Sequence, residues 1–386
     1  MRIEELGISI NPINDEKMID ARNRQDFRVK VPGSLGGLED ISIRLAGITG
    51  NVTGNDVSKQ AIVLMCADNG VVEEGVASAP QTVTQMQTIN FTRKVTGVGS
   101  QAKYFDIDLL TVDIGVKLPL PKELLTDSML EEKGKLTEKI VNRRIADGTK
   151  NLAKEPAMTR EEAIKSILIG IEAARSCVKA GKNIIGVGEM GIGNTTTATA
   201  IISGLSGVAA REVVGRGGGL SDEGLQKKEA VVENAISRFY SDCRAKGLKI
   251  GEAPDPIDLL AAVGGFDIGG MVGVYLGAAA SGVPVVIDGL ISMAAAILAV
   301  RIAPLAKDYM FASHKSKEAG YEIACKTLGL KPMFDLGMRL GEGSGCPIAF
   351  KIIEAAVAVM DGMESLEEAQ VDGKYLDEFR RDGQFK

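Results

Sequence analysis

Five short apolar runs rich in β-branched residues punctuate the chain, and each leads through a polar or glycine-rich turn into a helical pattern. They are Ala61–Met65 ending at Asp68, Leu109–Val112 ending at Asp113, Asn183–Val187 ending at Glu189, Val283–Ile287 ending at Asp288, and Tyr309–Ala312 ending at His314. Continuous apolar strands alternating with helices predict an α/β fold, a parallel sheet covered by helices on both faces. Ligands of such sheets bind outside the carboxyl ends of the strands. Four of the five ends carry an acid and the fifth carries the only histidine. One such Asp is commonly a helix N-cap; four in the same place predict a polar cleft.

The helices are signalled by their ends. Thr159 followed by Glu162 is a capping box that opens a helix to about Lys179, with Ala163, Ile164, Ile167, Ile171 and Ala174 on one face. Ser221, Asp222 and Glu223 start another that ends near Tyr240. Residues 1–50 and 343–370 read as helical and flank the strand-rich middle. The expected division is a large α/β domain over 60–342 and a smaller helical domain from 1–59 and 343–386. Residues 117–156 are charged and aperiodic, and are expected to run over the surface.

Composition narrows the chemistry. The 386 residues allow one large or two ordinary domains. A net charge of −6 gives no electrostatic case for a nucleic-acid partner. Five cysteines without a C-x-x-C pair, beside one histidine, exclude the usual His/Cys zinc patterns. No basic, apolar leader opens the sequence, and the longest apolar run, Leu290 to Val300, is too short to span a bilayer. A cytoplasmic protein with reduced thiols and no membrane partner is expected.

Residues 186–191 read G-V-G-E-M-G, which satisfies the G-x-G-x-x-G dinucleotide pattern, with Glu212 about where a ribose-binding acid is expected. Against that reading, Glu189 would face the diphosphate it is meant to admit. The loop makes better sense in two parts. Gly191, Gly193, Asn194, Thr195 and Thr196 form a donor-rich helix start suited to one phosphate, and Glu189 precedes it to face a neutral or cationic ring. A second glycine-flanked acid, Glu342, stands between Gly341 and Gly343, three residues after Arg339. Poor solvation there would raise its pKa and suit it to accept a proton near neutrality. The alternative is an ordinary turn in which Glu342 caps the helix from Pro347 onward.

Seven motifs in order carry a resemblance: "ADNGVVEEGV" (67–76), "GEMGIGNTT" (188–196), "GRGGGLSDEGLQKK" (215–228), "GGFDIGGMVG" (264–273), "VVIDGLIS" (285–292), "ASHKS" (312–316) and "LGEGSG" (340–345). On these the chain resembles the nicotinate-nucleotide–dimethylbenzimidazole phosphoribosyltransferase family of cobamide assembly. The resemblance implies transfer of phosphoribose from nicotinate mononucleotide to a lower-ligand base, with inversion to the α-riboside and release of nicotinate. It also implies a parallel α/β domain plus a small helical domain, a dimer of identical or homologous chains, and neither metal nor organic cofactor. By the same resemblance Glu342 is the general base and Glu189 lines the incoming-base pocket. Gly191, Asn194, Thr195, Gly217, Lys228, Asp288, Gly289, Ser316, Arg339 and Gly341 surround the ribose phosphate and nicotinate.

The sequence departs from the family where Asn69 and Tyr321 stand in place of histidines common in its members. The segment 76–91 and the residue after Glu189 offer Ser78, Met86, Gln87 and Met190 to the base pocket. Methionines are adaptable, and the expectation is a pocket that takes dimethylbenzimidazole-type bases and also phenol or p-cresol. The other reading of Met86 and Met190 is packing between helix and sheet. Two other function classes stand beside the transferase: a nicotinamide-dependent dehydrogenase and a non-catalytic scaffold of the same fold.

Overall fold

A computed structural model describes residues 6–376; the outermost parts of both expected terminal segments lie outside the described residues. Seven parallel strands form one sheet in the order β3-β4-β2-β1-β5-β6-β7. They are β1 (Gln60–Ala67), β2 (Asp108–Gly115), β3 (Leu125–Thr126), β4 (Ile140–Asn142), β5 (Ile184–Met190), β6 (Val285–Ile287) and β7 (Met310–Ala312). β1 and β5 are buried along their whole length, as expected of strands covered on both faces. From β1 the chain proceeds first to β2 on one side and later to β5 on the other. The order therefore reverses between β1 and β5, and a crevice opens at their carboxyl ends.

The sides of β1 identify the two covering layers. Met65 lies against Gly270 of α10 (Phe266–Ala280), whereas Ile62 lies against Gly343 and the approach to α13 (Cys346–Gly362). Odd and even residues of a strand face opposite ways, so α10 and the 341–346 segment cover opposite faces of the sheet. All five strands expected from the sequence are present. Residues 117–156 are a correction, because they contribute β3 and β4 to the sheet edge and bury Met129, Leu136 and Leu152. Strands of two and three residues are too short to show a period inside so charged a stretch.

The capping box holds in α5 (Arg160–Lys179): Thr159 accepts from the Glu162 amide, and the Glu162 carboxylate accepts from the Thr159 amide. The helix opened by Ser221 is α8 (Asp222–Ala245), which runs past Tyr240 to Ala245. α1 (Asp15–Asp26), α2 (Gly37–Thr49) and α13 share a small apolar cluster of Ala21, Ile43, Ala46 and Met360. The opposite side of α2 and the first turns of α13 belong to the main core through Ile41, Leu45, Ala349 and Phe350. α2 and α13 thus serve both cores.

α5 and α10 approach at glycines. A Cβ on Gly170 would stand 1.9 Å from the Gly270 carbonyl oxygen, and one on Gly273 would stand 1.9 Å from that of Ile167. Backbone cannot yield as a side-chain tip can, so the helices would have to separate. Gly170→Ala is expected to destabilise the fold by about 1–3 kcal/mol, read as a lower thermal midpoint in calorimetry. An unchanged midpoint would mean that this crossing is looser than its geometry.

Candidate active site

The crevice at the strand reversal is a cavity of about 610 Å³. Its floor is the end of β5 and the start of α6 (Asn194–Ser206), and its walls come from residues 76–87, 216–218, 288–292, 314–318 and 339–342. The glycine pattern of β5 finds its explanation here. A Cβ at Gly186 would meet Cys346 at 2.7 Å, one at Gly188 would meet the Glu342 backbone at 2.7 Å, and one at Gly191 would meet the Ala67 carbonyl oxygen at 2.2 Å. At Gly188 and Gly191 the protein's own backbone fills the space that a dinucleotide fingerprint would leave for a diphosphate. The dehydrogenase reading loses its structural basis.

Glu342 and Glu189 meet across this packing. Glu342 takes φ +62°, a left-handed conformation costly for a non-glycine residue. Its carboxylate accepts from the Gln87 side-chain amide at 3.1 Å and from the Gly97 backbone amide at 3.1 Å. Its backbone amide donates to Glu189 Oε1 at 3.3 Å. Burial raises the Glu342 pKa above the ordinary value, and the surrounding amides oppose that rise. The helix-cap alternative fails, because α13 starts at Cys346 with no side-chain cap.

Glu189 is pushed up to about 8, first by burial and then by the nearby Asp267 and Asp288. The two amide hydrogens of Asn194 are spent on acids, one on Glu189 Oε2 and one on Asp267 Oδ2 at 3.2 Å. Asp267, fully buried in α10, is itself raised to about 7 by burial. Asp288 is raised to about 7, again by burial, and its oxygens accept from the amides of Gly343 (3.0 Å) and Gly345 (2.7 Å). It clamps the 341–345 loop to the end of β6. His314 lines the cavity, and burial lowers it to about 4, so the imidazole is neutral.

Most of the expected site residues converge. Ser78, Glu189, Met190, Gly191, Asn194, Thr195, Gly217, Asp288, Gly289, Ser316, Arg339, Gly341 and Glu342 all line the cavity. Gly341 has φ +82°, and a Cβ there would meet Glu189 Oε1 at 2.6 Å. Three expected residues do not line it. Met86 is 58% exposed, because on α3 (Thr82–Thr92) it points away from the side that carries Gln87 to Glu342. Lys228 is fully buried behind the wall, where Nζ donates to Thr195 Oγ1 at 2.8 Å and to the Gly215 carbonyl at 3.0 Å. Thr196, expected among the phosphate donors, is wholly buried as well.

Two of the four strand-end acids stay out of the cleft. Asp113 accepts from the Gly115 and Val116 amides at 3.0 and 2.8 Å, and Asp68 accepts from the Lys117 amide at 2.8 Å. Both shape the turn after β2. The site residues assigned from the sequence omit Asp267, Glu318 and His314; an acid inside the apolar, glycine-rich "GGFDIGG" was the available signal for the first.

A crevice at the strand reversal of a parallel α/β sheet, with one carboxylate on a strained loop and a second on the strand end, is an arrangement suited to an enzyme acting on a small polar ligand. A family model described as phosphoribosyltransferase matches residues 10–371. A Clostridium perfringens protein named nicotinate-nucleotide–dimethylbenzimidazole phosphoribosyltransferase is 48% identical over 378 residues, covering 98% of each chain. A Clostridium tetani protein of the same name is 43% identical over 379 residues, again 98% of each chain. The crystal structure of CobT from Thermus thermophilus matches with a TM-score of 0.83 at 37% identity, covering 92% of this chain and 99% of that one. The chain belongs to the nicotinate-nucleotide–dimethylbenzimidazole phosphoribosyltransferase family, and it is a transferase.

Among the described residues no helix is long and apolar enough to cross a membrane, and no group of three or more His, Cys, Asp or Glu is placed to hold a metal ion. The raised Glu189 gives a signed expectation. Its carboxyl rises from an ordinary 4.5 to about 8, so the folded state keeps a proton that the unfolded chain sheds. The stability this confers is complete below about pH 4.5 and is lost as pH climbs toward 8. Glu189→Gln removes that titration. Denaturant titrations should therefore show the variant gaining on the parent protein between about pH 5 and 8. A stability difference that stays flat across this window would place the Glu189 carboxyl in a better-solvated site.

Proposed function

We propose that the protein transfers the 5-phosphoribosyl group of nicotinate mononucleotide to a dimethylbenzimidazole-type base. In this reading a ring nitrogen of the base attacks C1 of the ribose from the face opposite nicotinate. The new C–N bond forms as the bond to the pyridinium nitrogen breaks, and the electron pair leaves with nicotinate. The anomeric carbon inverts to the α-configuration. The proton on the attacking heterocycle passes to Glu342. Nicotinate accepts the electron pair, so the displacement itself calls for no redox partner and no Lewis acid.

The observation that carries this reading is the placing of Glu342, its carboxylate at the cavity and held from behind by the Gln87 and Gly97 amides. Those bonds orient the base without neutralising it, and burial raises its affinity for a proton. Thr195, Gly217 and Ser316 line the cavity beside the α6 N-terminus, a suitable end for the phosphate. Arg339, on the same wall as Glu342, suits the carboxylate of nicotinate. Lys228 supports the phosphate end through Thr195.

Phenol or p-cresol is proposed as a further acceptor, attacking through oxygen with the same base. Met190 alone now supports that leaning, since Met86 faces solvent. The expected dimer belongs to the same proposal, with Met86, Val95 and Tyr104 as exposed apolar side chains on and between α3 and α4 (Gly97–Phe105). A cytoplasmic, reducing setting suits the five free cysteines.

Glu342→Gln keeps the shape of the side chain and removes the base. It is expected to bind nicotinate mononucleotide normally and to lose about 10²–10⁴-fold in turnover, measured as nicotinate release. A variant of parental rate at neutral pH would refute the assignment. Incubation with nicotinate mononucleotide and benzimidazole, adenine, phenol or p-cresol, followed by mass spectrometry, tests the acceptor. An α-ribosyl phosphate of benzimidazole is expected, with a lesser phenolic product. Met190→Leu should shift the phenol-to-benzimidazole ratio, and an unchanged ratio would make Met190 a packing residue only.

A further inference from the structure

The Gln87 amide can present either its N–H₂ or its oxygen to Glu342, and only the first favours an ionised base. Three hydrogen bonds in series select it. Arg93 Nη1 donates to Asn90 Oδ1 at 3.4 Å, Asn90 Nδ2 donates to Gln87 Oε1 at 2.9 Å, and Gln87 Nε2 donates to Glu342 Oε1 at 3.1 Å. A guanidinium only donates, so Asn90 must receive with its oxygen and donate with its nitrogen. That choice turns the Gln87 oxygen toward Asn90 and its nitrogen toward Glu342. Gln87 and Asn90 are three residues apart on α3 and therefore share one side of the helix.

We propose that Asn90, backed by Arg93, is a positioning residue that sets the polarity of the Gln87 amide and thereby keeps Glu342 in its proton-accepting form. The inference rests on Glu342 being the base. Asn90 is half-buried and is not among the residues that line the cavity, so it acts through Gln87. Backbone amides facing Glu342 also favour its charge but have a fixed polarity, whereas the Gln87 amide can reverse. β5 presents Glu189, which takes up the Glu342 backbone amide, and the end of β6 presents Asp288, whose negative charge opposes ionisation. β7 is followed by the neutral His314, and the start of α4 adds the Gly97 and Val98 amides and the Thr96 side chain but no charged side chain. Arg339 is the one cation on the Glu342 loop among the cavity-lining residues.

Asn90→Asp tests the relay. An ionised Asp only accepts, so it draws the Gln87 nitrogen to itself and turns the Gln87 oxygen on Glu342. The base then holds its proton to higher pH, and the acid limb of the kcat/KM profile should move up by about one pH unit. That is roughly a tenfold loss at low pH that shrinks as pH rises. Asn90→Ala, which frees the amide without reversing it, should move the limb by less. In a Gln87→Leu background there is no amide to turn, and the effect of Asn90→Asp on the limb should vanish. An unmoved limb in Asn90→Asp, with Glu342→Gln inactive, would overturn the relay and leave the base in place. A limb that moves equally in the Gln87→Leu background would overturn it too, assigning the shift to through-space charge. A fully active Glu342→Gln would overturn the base and the relay together.

Discussion

The cleft depends on one close approach, that of the backbone at 341–345 to the ends of β5 and β6. It is possible because Gly188 carries no side chain where Glu342 passes and Gly341 carries none where Glu189 stands. It is held because Asp288 accepts from the amides of Gly343 and Gly345 and Glu189 accepts from that of Glu342. Remove the approach and Glu342 leaves the cavity. The left-handed conformation of Glu342 is the strain that this packing imposes and maintains. Loop and strand are therefore one functional unit, although 153 residues separate Glu189 from Glu342.

The sheet order explains why this unit forms where it does. Strands on the two sides of the β1/β5 boundary send their connections away from one another, which leaves a gap above their carboxyl ends. Into the gap come the amino end of α6, the glycine segment at 216–218 and the 339–342 segment. Asp68 and Asp113 finish neighbouring strands, yet Asp113 and one oxygen of Asp68 hold the 115–117 turn. Asp288 holds a turn as well, but the turn it holds is the 341–345 loop that carries Glu342, so it stays at the cavity.

Much of the fold was legible in the sequence because β1, β2 and β5 are long enough to show as continuous apolar runs, and because α5 and α8 carry clear caps. β3 and β4 were hidden, since two or three residues among charged neighbours have no period. Glu189 and Glu342 could be read because glycines surround them. Asp267 carried a local signal, an acid in an apolar, glycine-rich run, but its role could not be read because its partner Asn194 is 73 residues away. Met86 and Lys228 lie off the cavity for a related reason. A motif places a residue on an element, but the direction of its side chain depends on how that element packs. The G-x-G-x-x-G pattern fails as a dinucleotide site on the charge of Glu189, and the packing supplies a second reason. Its glycines answer a need for close approach, and the approaching groups are the protein's own: the Cys346 side chain at Gly186 and backbone at Gly188 and Gly191.

The two glutamates are then separated by environment. Glu342 is buried, but amides from Gln87 and Gly97 point at its oxygens and favour the charge. Glu189 is buried beside Asp267 and Asp288, two further acids that disfavour its charge, and it titrates near 8. Neighbouring carboxyls whose surroundings push them apart in proton affinity can take different roles at one pH. In the proposed reaction Glu342 is the member able to start empty and accept the proton of the attacking heterocycle. Glu189 holds its own proton through neutrality, which spares the cleft a second negative charge when the nicotinate mononucleotide phosphate enters. The acid that argues against a diphosphate in this loop is, once protonated, compatible with a single phosphate at the neighbouring helix start.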